Sequence, residues 1–92
     1  MNVEKFKQAV VNNVYHIPAG HKVPMHKHAR HDEVFYCVQG SGFGVLESGE
    51  VSLTQGKVFV VPAGTMHSLR SDEHLYVTSS LIPLADDPNF AD

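Results

Sequence analysis

The chain has 92 residues, of which 42% are hydrophobic and 18% are charged, and its formal net charge is -3. A chain of this length buries about two-thirds of its unfolded surface, so we expect a single domain, residues 1–92, around one core. The Lys and Arg residues are scattered along the sequence and form no basic stripe. Nucleic acid is therefore a poor candidate partner.

The apolar runs are short. The longest, Val58–Pro62, is far shorter than a membrane span, and the first residues lack the basic-then-apolar order of a signal peptide. Cys37 is the only cysteine and cannot form an internal disulfide, which agrees with a reducing environment. We therefore predict a cytoplasmic protein without a membrane partner.

The N-terminal third begins with a polar stretch, residues 2–8, that fits either a short helical turn or an edge strand. Residues 9–17 are dense in β-branched side chains and predict a first strand, broken by the Asn12-Asn13 pair. Pro18-Ala19-Gly20 then turns the chain.

Four histidines and the carboxylate of Glu33 are concentrated between Gly20 and Gly40. We predict a short strand over Val23–His28, in which His26 and His28 share one face because side chains alternate. Glu33 has the wrong parity for that strand, so it must come from a second strand after a turn at residues 29–32. A further imidazole, His67, follows the turn-forming sequence Val61-Pro62-Ala63-Gly64.

The second strand is predicted over Glu33–Gln39, with Gly40-Ser41-Gly42 ending it. Glu33, Phe35 and Cys37 then share one face, and Val34, Tyr36 and Val38 share the other. Both faces are apolar, whereas the outside of a barrel is normally polar. The outer face therefore needs a cover, and two interpretations remain open: another subunit, or the chain's own N- or C-terminal segment.

The rest of the chain predicts further short strands separated by turns. They are a hairpin of 43–46 and 51–53 around residues 47–50, a buried strand at 57–61, a strand at 66–69, a turn at 71–73 and a last strand at 74–81. Residues 83–92 form an acidic tail without periodicity. About eight short strands without a strong helix signal predict an all-β barrel or sandwich with its core in residues 9–82.

Two spacing patterns resemble the signatures of the cupin superfamily. The first consists of Gly20, His26, His28, Glu33 and Gly40, and the second of Gly56, Pro62-Ala63-Gly64 and His67. Ser71 stands where the second signature usually has asparagine, which affects the expected turn geometry more than the site. Together the two patterns run from Gly20 to Ser71, more than half of the chain.

This resemblance implies a double-stranded β-helix, or jelly-roll barrel, that assembles as a homodimer. It also implies one divalent transition metal per chain, held by His26, His28, Glu33 and His67. Three imidazoles and one carboxylate suit Mn, Fe, Co, Ni, Cu or Zn, and an octahedral shell would leave two positions open.

Other residues are assigned to the surroundings of the site. By parity, Phe35, Cys37 and Leu69 are predicted to line the pocket, with Cys37 read either as a reactive thiol or, preferably, as a small buried hydrophobe. The candidates for an additional acid or base are His21, His31, Tyr36 and Tyr76.

Two functional classes are the main candidates at this stage; a third, a storage or structural barrel with an incidental metal, is the least favoured because all four ligand positions are intact. The first is a metal-dependent enzyme acting on a small polar organic molecule, with dioxygenase, isomerase and decarboxylase chemistry all occurring on this fold. The second is a non-catalytic module that uses the metal to bind or sense a small molecule. Fold alone does not select between them.

Overall fold

The computed structural model describes residues 1–92 and consists almost entirely of antiparallel β-structure. Helix α1 and a short 3-10 helix lie near the two ends of the chain, and five strands lie between them. The elements are α1 Val3–Ala9, β1 Val11–Ile17, β2 His31–Leu46, β3 Gly49–Thr54, β4 Val58–Val61, β5 His67–Pro83 and the 3-10 helix Pro88–Phe90. The predicted all-β class is confirmed.

The fold is a double-stranded β-helix built on the long pair β2 and β5. These strands pair antiparallel from His31 opposite Pro83 to Leu46 opposite His67. β1 pairs with β5, while β3 and β4 pair with successive parts of β2. The sheet folds over itself. As a result the start of β2, which pairs with the end of β5, also faces the start of β5 across the interior, where Glu33 Oε1 and His67 Nε2 lie 2.9 Å apart.

Two predicted chain breaks are wrong, because both fall inside the long strands. Gly40-Ser41-Gly42 does not end a strand and residues 71–73 are not a turn. Instead, the β2–β5 register shifts at this point. Gly40 has a φ of 91°, and a Cβ there would collide with the carbonyl of His74. Glycine thus permits a bulge and close backbone approach, so the strands bend without ending and five strands replace the predicted eight.

The segment before β2 also differs from prediction. Residues 23–28 form no regular strand, and the segment 22–28 pairs with β5 only at two isolated bridges, Lys22 with Arg70 and His26 with His67. Pro24 lies between these bridges and has no backbone N–H to donate. By contrast, β1 continues through Asn12-Asn13, where the Ser80 hydroxyl donates a 2.6 Å hydrogen bond to Asn12 Oδ1.

The ends of the chain pack against each other. Of the two alternatives for residues 2–8 the helix is correct, with Asn2 Oδ1 accepting the N–H of Lys5 at 3.1 Å. The Phe6 and Phe90 rings lie edge to face with centroids 5.1 Å apart. The C-terminal tail therefore ends as a 3-10 helix on α1. Neither helix is long and apolar enough to span a membrane.

The core lies between the folded layers of the sheet. It contains Ile17, Phe35, Cys37, Leu53, Phe59, Val61, Leu69, Leu75 and Val77. The alternation predicted for β2 is confirmed, because Glu33, Phe35 and Cys37 are buried while Tyr36 and Val38 are 45% and 44% exposed. Since both termini pack elsewhere, the chain's own segments leave Tyr36 and Val38 exposed.

Candidate metal centre

Four side chains from three segments converge at one end of the barrel interior. His26 and His28 come from the irregular segment before β2, Glu33 from the start of β2, and His67 from the first position of β5. Each contributes one potential ligand atom, and these atoms all lie within 4.8 Å of one another. The structure thus brings together the four residues named from the sequence.

Backbone hydrogen bonds fix the positions of the segments that carry these side chains. His26 and His67 exchange two bonds, with N···O distances of 3.0 and 2.8 Å, and the N–H of Gly64 donates to the carbonyl of His28 at 2.8 Å. Asp32 Oδ1 accepts the N–H of Ala63 at 2.8 Å, which ties the Pro62-Ala63-Gly64 corner to β2. The two histidine-bearing segments are therefore held beside each other and beside the strand that carries Glu33.

Carbonyl oxygens set the tautomers of two imidazoles. His26 Nδ1 lies 2.9 Å from the carbonyl oxygen of Pro24, and His67 Nδ1 lies 2.8 Å from that of Thr65. A carbonyl oxygen can only accept, so each Nδ1 carries a proton, and in the neutral imidazole each Nε2 presents its lone pair to the site. Such a bond to the distal nitrogen is typical of metal-binding histidines.

Glu33 is buried, and both of its carboxylate oxygens make close polar contacts. Its Oε1 lies 2.9 Å from His67 Nε2 and 3.4 Å from His28 Nε2. Its Oε2 accepts a 2.6 Å hydrogen bond from the hydroxyl of Ser79 on β5. The sequence interpretation missed Ser79, although its alternation with the buried Leu75 and Val77 places it on the inner face.

These contacts fit a metal ion. With Nδ1 of His67 protonated, a neutral ring places its Nε2 lone pair 2.9 Å from a carboxylate oxygen, an arrangement that needs a proton or a metal ion between the two atoms. Divalent ions such as zinc bind nitrogen and oxygen at about 2.0–2.2 Å, so neighbouring ligand atoms stand roughly 3.0–3.4 Å apart, depending on whether the shell is octahedral or tetrahedral. The two distances from Glu33 Oε1 lie near that range.

The cluster opens into a cavity of about 290 Å³ whose other walls are mainly apolar. Phe35 and Leu69 line it, as do Ile17, Val23 and Leu81. Cys37 does not line it: the side chain is completely buried in the core, and its Sγ lies 3.5 Å from the carbonyl oxygen of Gln39. Burial raises the pKa of the Cys37 thiol, which agrees with the buried-hydrophobe interpretation.

The acid–base candidates named from the sequence lie elsewhere. None of His21, His31, Tyr36 and Tyr76 lines the cavity. Tyr15 does, because it shares the inner face of β1 with the buried Ile17. The alternation along β1 was the signal that could have identified Tyr15.

Ser71, which replaces the usual asparagine, is buried and has a local structural role. Its hydroxyl donates to the carbonyl of Pro18, and its N–H donates to that of His21 at 3.0 Å. These bonds attach the turn before the histidine segment to β5. The replacement thus leaves the loop that leads to the site well anchored.

A family model described as "Cupin domain" matches residues 13–79. The chain is a cupin. In this cupin the matched region includes all four clustered residues and both long strands.

Solved structures share the fold along most of the chain. KdgF from Halomonas sp. is 32% identical with a TM-score of 0.75, over 85% of this chain and 73% of that one. A predicted oxalate decarboxylase (tm1287) from Thermotoga maritima is 23% identical with a TM-score of 0.79, over 91% of this chain and 76% of that one. At that identity the second likeness shows the fold alone.

Among curated proteins, the chain is similar to quercetin 2,3-dioxygenase of Bacillus subtilis (strain 168). The two are 35% identical over 74 residues, which are 79% of this chain but 22% of that enzyme. An uncharacterized protein of Methanocaldococcus jannaschii, MJ1618, is 27% identical over 60% of this chain and 44% of its own length. The chain therefore spans less than half of each of these two relatives.

Proposed function

We propose that this cupin is a divalent-metal-dependent enzyme acting on a small organic molecule. The observation that carries the proposal is the arrangement of Glu33 and His67: each presents one ligand atom inward while its other polar atom is held by Ser79 or by the carbonyl of Thr65. Such second contacts orient ligands and raise metal affinity. A buried pair of core side chains alone would not bring the imidazoles of His26 and His28 to the same point.

In this proposal His26, His28, Glu33 and His67 hold one Mn, Fe, Co, Ni, Cu or Zn ion per chain. The ion supplies Lewis acidity and, if it is redox-active, a place for dioxygen chemistry. The chain's own side chains do the rest. Phe35 and Leu69 exclude water from one side of the cavity, and Tyr15 provides a hydroxyl near its rim.

Dioxygenation is the first reaction class to test. The supporting evidence is the similarity to the Bacillus subtilis quercetin 2,3-dioxygenase, which extends over residues that make up 79% of this chain. Isomerase and decarboxylase chemistry remain the other enzymatic proposals. The alternative from a different class is a metal-dependent binding or sensing module. It is supported by the scarcity of acid–base groups that a catalyst would use, since beyond the four clustered residues the cavity has one phenol and no carboxylate.

Metal content separates the proposal from a purely structural barrel. Untagged protein is expected to carry close to one transition-metal ion per chain by elemental analysis, and His28→Ala or His67→Ala is expected to lose most of it. His21→Ala is the matched control, since His21 is exposed outside the cluster and should leave the content unchanged. Equal metal in the wild type and all three variants would contradict the proposed ligands.

Oxygen consumption then separates an oxygenase from a binding module. Iron- or copper-loaded protein is mixed with a panel of diketones, catechols and flavonols, and oxygen uptake is followed with an electrode. Uptake dependent on both metal and organic compound supports the dioxygenase. Tight binding of a compound without its conversion favours the binding module.

We also propose that two such 92-residue domains form a homodimer. The outer apolar face, defined as Val34, Tyr36 and Val38 of β2 with Val58 and Val60 of β4, is contiguous because Val34 pairs with Val60 and Tyr36 with Val58. Val58 and Val60 are 53% and 59% exposed in the single chain. Of the two covers considered for this face, the chain's own terminal segments and a second subunit, only the second subunit remains. Contact with a second copy would remove these valines from water.

A cytoplasmic location is proposed on the free thiol of Cys37, which is buried in the core without a disulfide partner. Such a thiol is typical of proteins from reducing compartments.

A further inference from the structure

The cavity beside the four clustered residues has a distinctive charge pattern. Half of its lining residues are hydrophobic, and its only carboxylate is Glu33. The other polar lining residues beyond the cluster are Tyr15, His16 and Ser68. Ser68 is buried, and its hydroxyl already donates to the carbonyl of Val23.

His16 does not offer a charge to the interior either. It alternates with Tyr15 and Ile17 on β1, so its imidazole lies on the outer side. There it stacks on the Tyr76 ring with centroids 4.3 Å apart, and its Nε2 lies 2.8 Å from His74 Nδ1. The His16 side chain is thus already engaged outside the cavity.

The strongly basic side chains lie elsewhere on the molecule. Arg70 forms two bonds to Glu50, at 2.6 and 2.8 Å, and a third to Asp72 at 3.2 Å. Arg30 lies 3.8 Å from Asp86. The cavity lining includes no Lys or Arg.

From this distribution we propose that the site takes a chelating ligand whose only ionisable atoms are those that bind the metal, and whose remainder is uncharged and apolar. This proposal rests on the proposed function, because it takes the four clustered residues as metal ligands, and it adds the substrate class. It disfavours ligands with a second anionic group, such as dicarboxylates, sugar acids and phosphorylated compounds.

The physical reason is charge balance in a small apolar space. A divalent ion beside Glu33 leaves one positive charge, which one deprotonated oxygen of a chelator neutralises. A second anionic group on the same ligand would meet Phe35, Leu69 or Leu81 without a cation. Burying a charge without a partner costs several kcal/mol or forces the group to stay in water.

The experiment uses two probes with the same metal-binding end. 3,4-Dihydroxybenzamide and 3,4-dihydroxybenzoate share a catechol and differ at a planar group of almost equal size, which is neutral in the first and anionic in the second. Zinc-loaded protein avoids redox side reactions. Isothermal titration at pH 8 measures both dissociation constants, and metal analysis after gel filtration checks that zinc stays with the protein.

We expect the amide to bind at least tenfold more tightly than the acid. A smaller ratio, a preference for the acid, or no binding of either probe to the zinc-loaded protein would overturn the inference. A failure of the proposed function would be recognised by a different result, the absence of stoichiometric zinc before any probe is added. Loss of zinc would remove the inference together with the function on which it rests.

A pair of variants tests the cause of the preference. Tyr15 lines the rim and is 45% exposed, so its replacement should leave the fold intact. Tyr15→Arg adds a cation there, while Tyr15→Gln removes the ring without adding charge. We expect the amide-to-acid ratio to fall at least fivefold in Tyr15→Arg relative to Tyr15→Gln, whereas equal ratios in the two variants would contradict the charge explanation.

Discussion

At the scale of single residues, the candidate site depends on side chains that hold the clustered ones in place. Ser79 is the clearest example, because its hydroxyl is buried and bonds Glu33 Oε2 at 2.6 Å. The bond leaves Oε1 directed toward His28 and His67. A carboxylate without this partner would be free to rotate away from the imidazoles.

We therefore expect Ser79→Ala to weaken metal binding about 10- to 100-fold, the usual effect of losing an outer contact to a ligand. Competition with a chromophoric chelator measures the affinity. Ser80→Ala is the matched control, since the neighbouring hydroxyl bonds Asn12 outside the site. Unchanged affinity in Ser79→Ala, with the fold intact by circular dichroism, would show that Glu33 does not need this bond.

A second residue-scale feature is the ion pair between Arg70 and Glu50. The hydrogen bonds from Arg70 lower the pKa of the Glu50 carboxyl, and the Arg70 guanidinium also lies 4.0 Å from the centre of the Phe43 ring. A carboxyl whose pKa is lower in the folded state than in the unfolded state stabilises the fold above its unfolded value, about 4.3 for glutamate. That contribution is lost as the pH falls through the lowered folded value.

Glu50→Gln is accordingly expected to reduce the Tm at pH 7, with the difference from wild type shrinking as the pH is lowered below about 4.3. Thermal unfolding at a series of pH values measures this. Glu47→Gln, an exposed change in the same hairpin, should show no such trend. A difference that stays constant between pH 7 and pH 3 would show that the charge of Glu50 is not the cause.

At the scale of elements, the bend in the β2–β5 pair decides the fold. Gly40 and Gly56 both have positive φ, 91° and 84°, but their surroundings differ. A Cβ at Gly56 would meet open space, whereas a Cβ at Gly40 would collide with the backbone of His74. The bulge on β2 therefore needs glycine both for its positive φ and for the close approach of the His74 backbone, whereas the turn at Gly56 needs it only for the positive φ.

Gly56→Ala should cost about 1–2 kcal/mol of unfolding free energy, the strain of a left-handed conformation. Gly40→Ala should cost clearly more, since β2 and β5 must separate to admit the methyl group. Urea unfolding of both variants supplies the comparison. Equal losses would mean that the backbone contact with His74 relaxes without penalty.

At the scale of the whole molecule, the outer apolar face predicts association. The protein is expected to sediment near twice its 10.1 kDa mass. Val60→Lys, at the most exposed position of that face, should shift it to the monomer because the lysine charge would be buried between the copies. Val3→Lys on α1 changes an equally exposed valine away from that face and is the control. A wild-type monomer at micromolar concentration would refute the dimer.

Local strand patterns in the sequence predicted burial correctly, but they did not predict features that depend on contacts with distant residues. Alternation along β2 was enough to predict that Glu33, Phe35 and Cys37 are buried, because a strand fixes the side of each residue locally. The same rule failed for Gly40-Ser41-Gly42, which looks like a strand end in sequence. Whether glycines end a strand or bend it depends on a partner backbone some thirty positions away in sequence.

The amino-acid sequence by itself determined the all-β class, the cupin signatures and the identity of the four clustered residues, since these depend on residue type and spacing. Only the tertiary structure decided that Ser79 holds Glu33, that Tyr15 lines the cavity and Cys37 does not, and that the termini pack on each other. The physical reason is that these contacts join residues far apart in the chain. Their meeting depends on how β1, β2 and β5 wind around the interior, which local patterns do not encode.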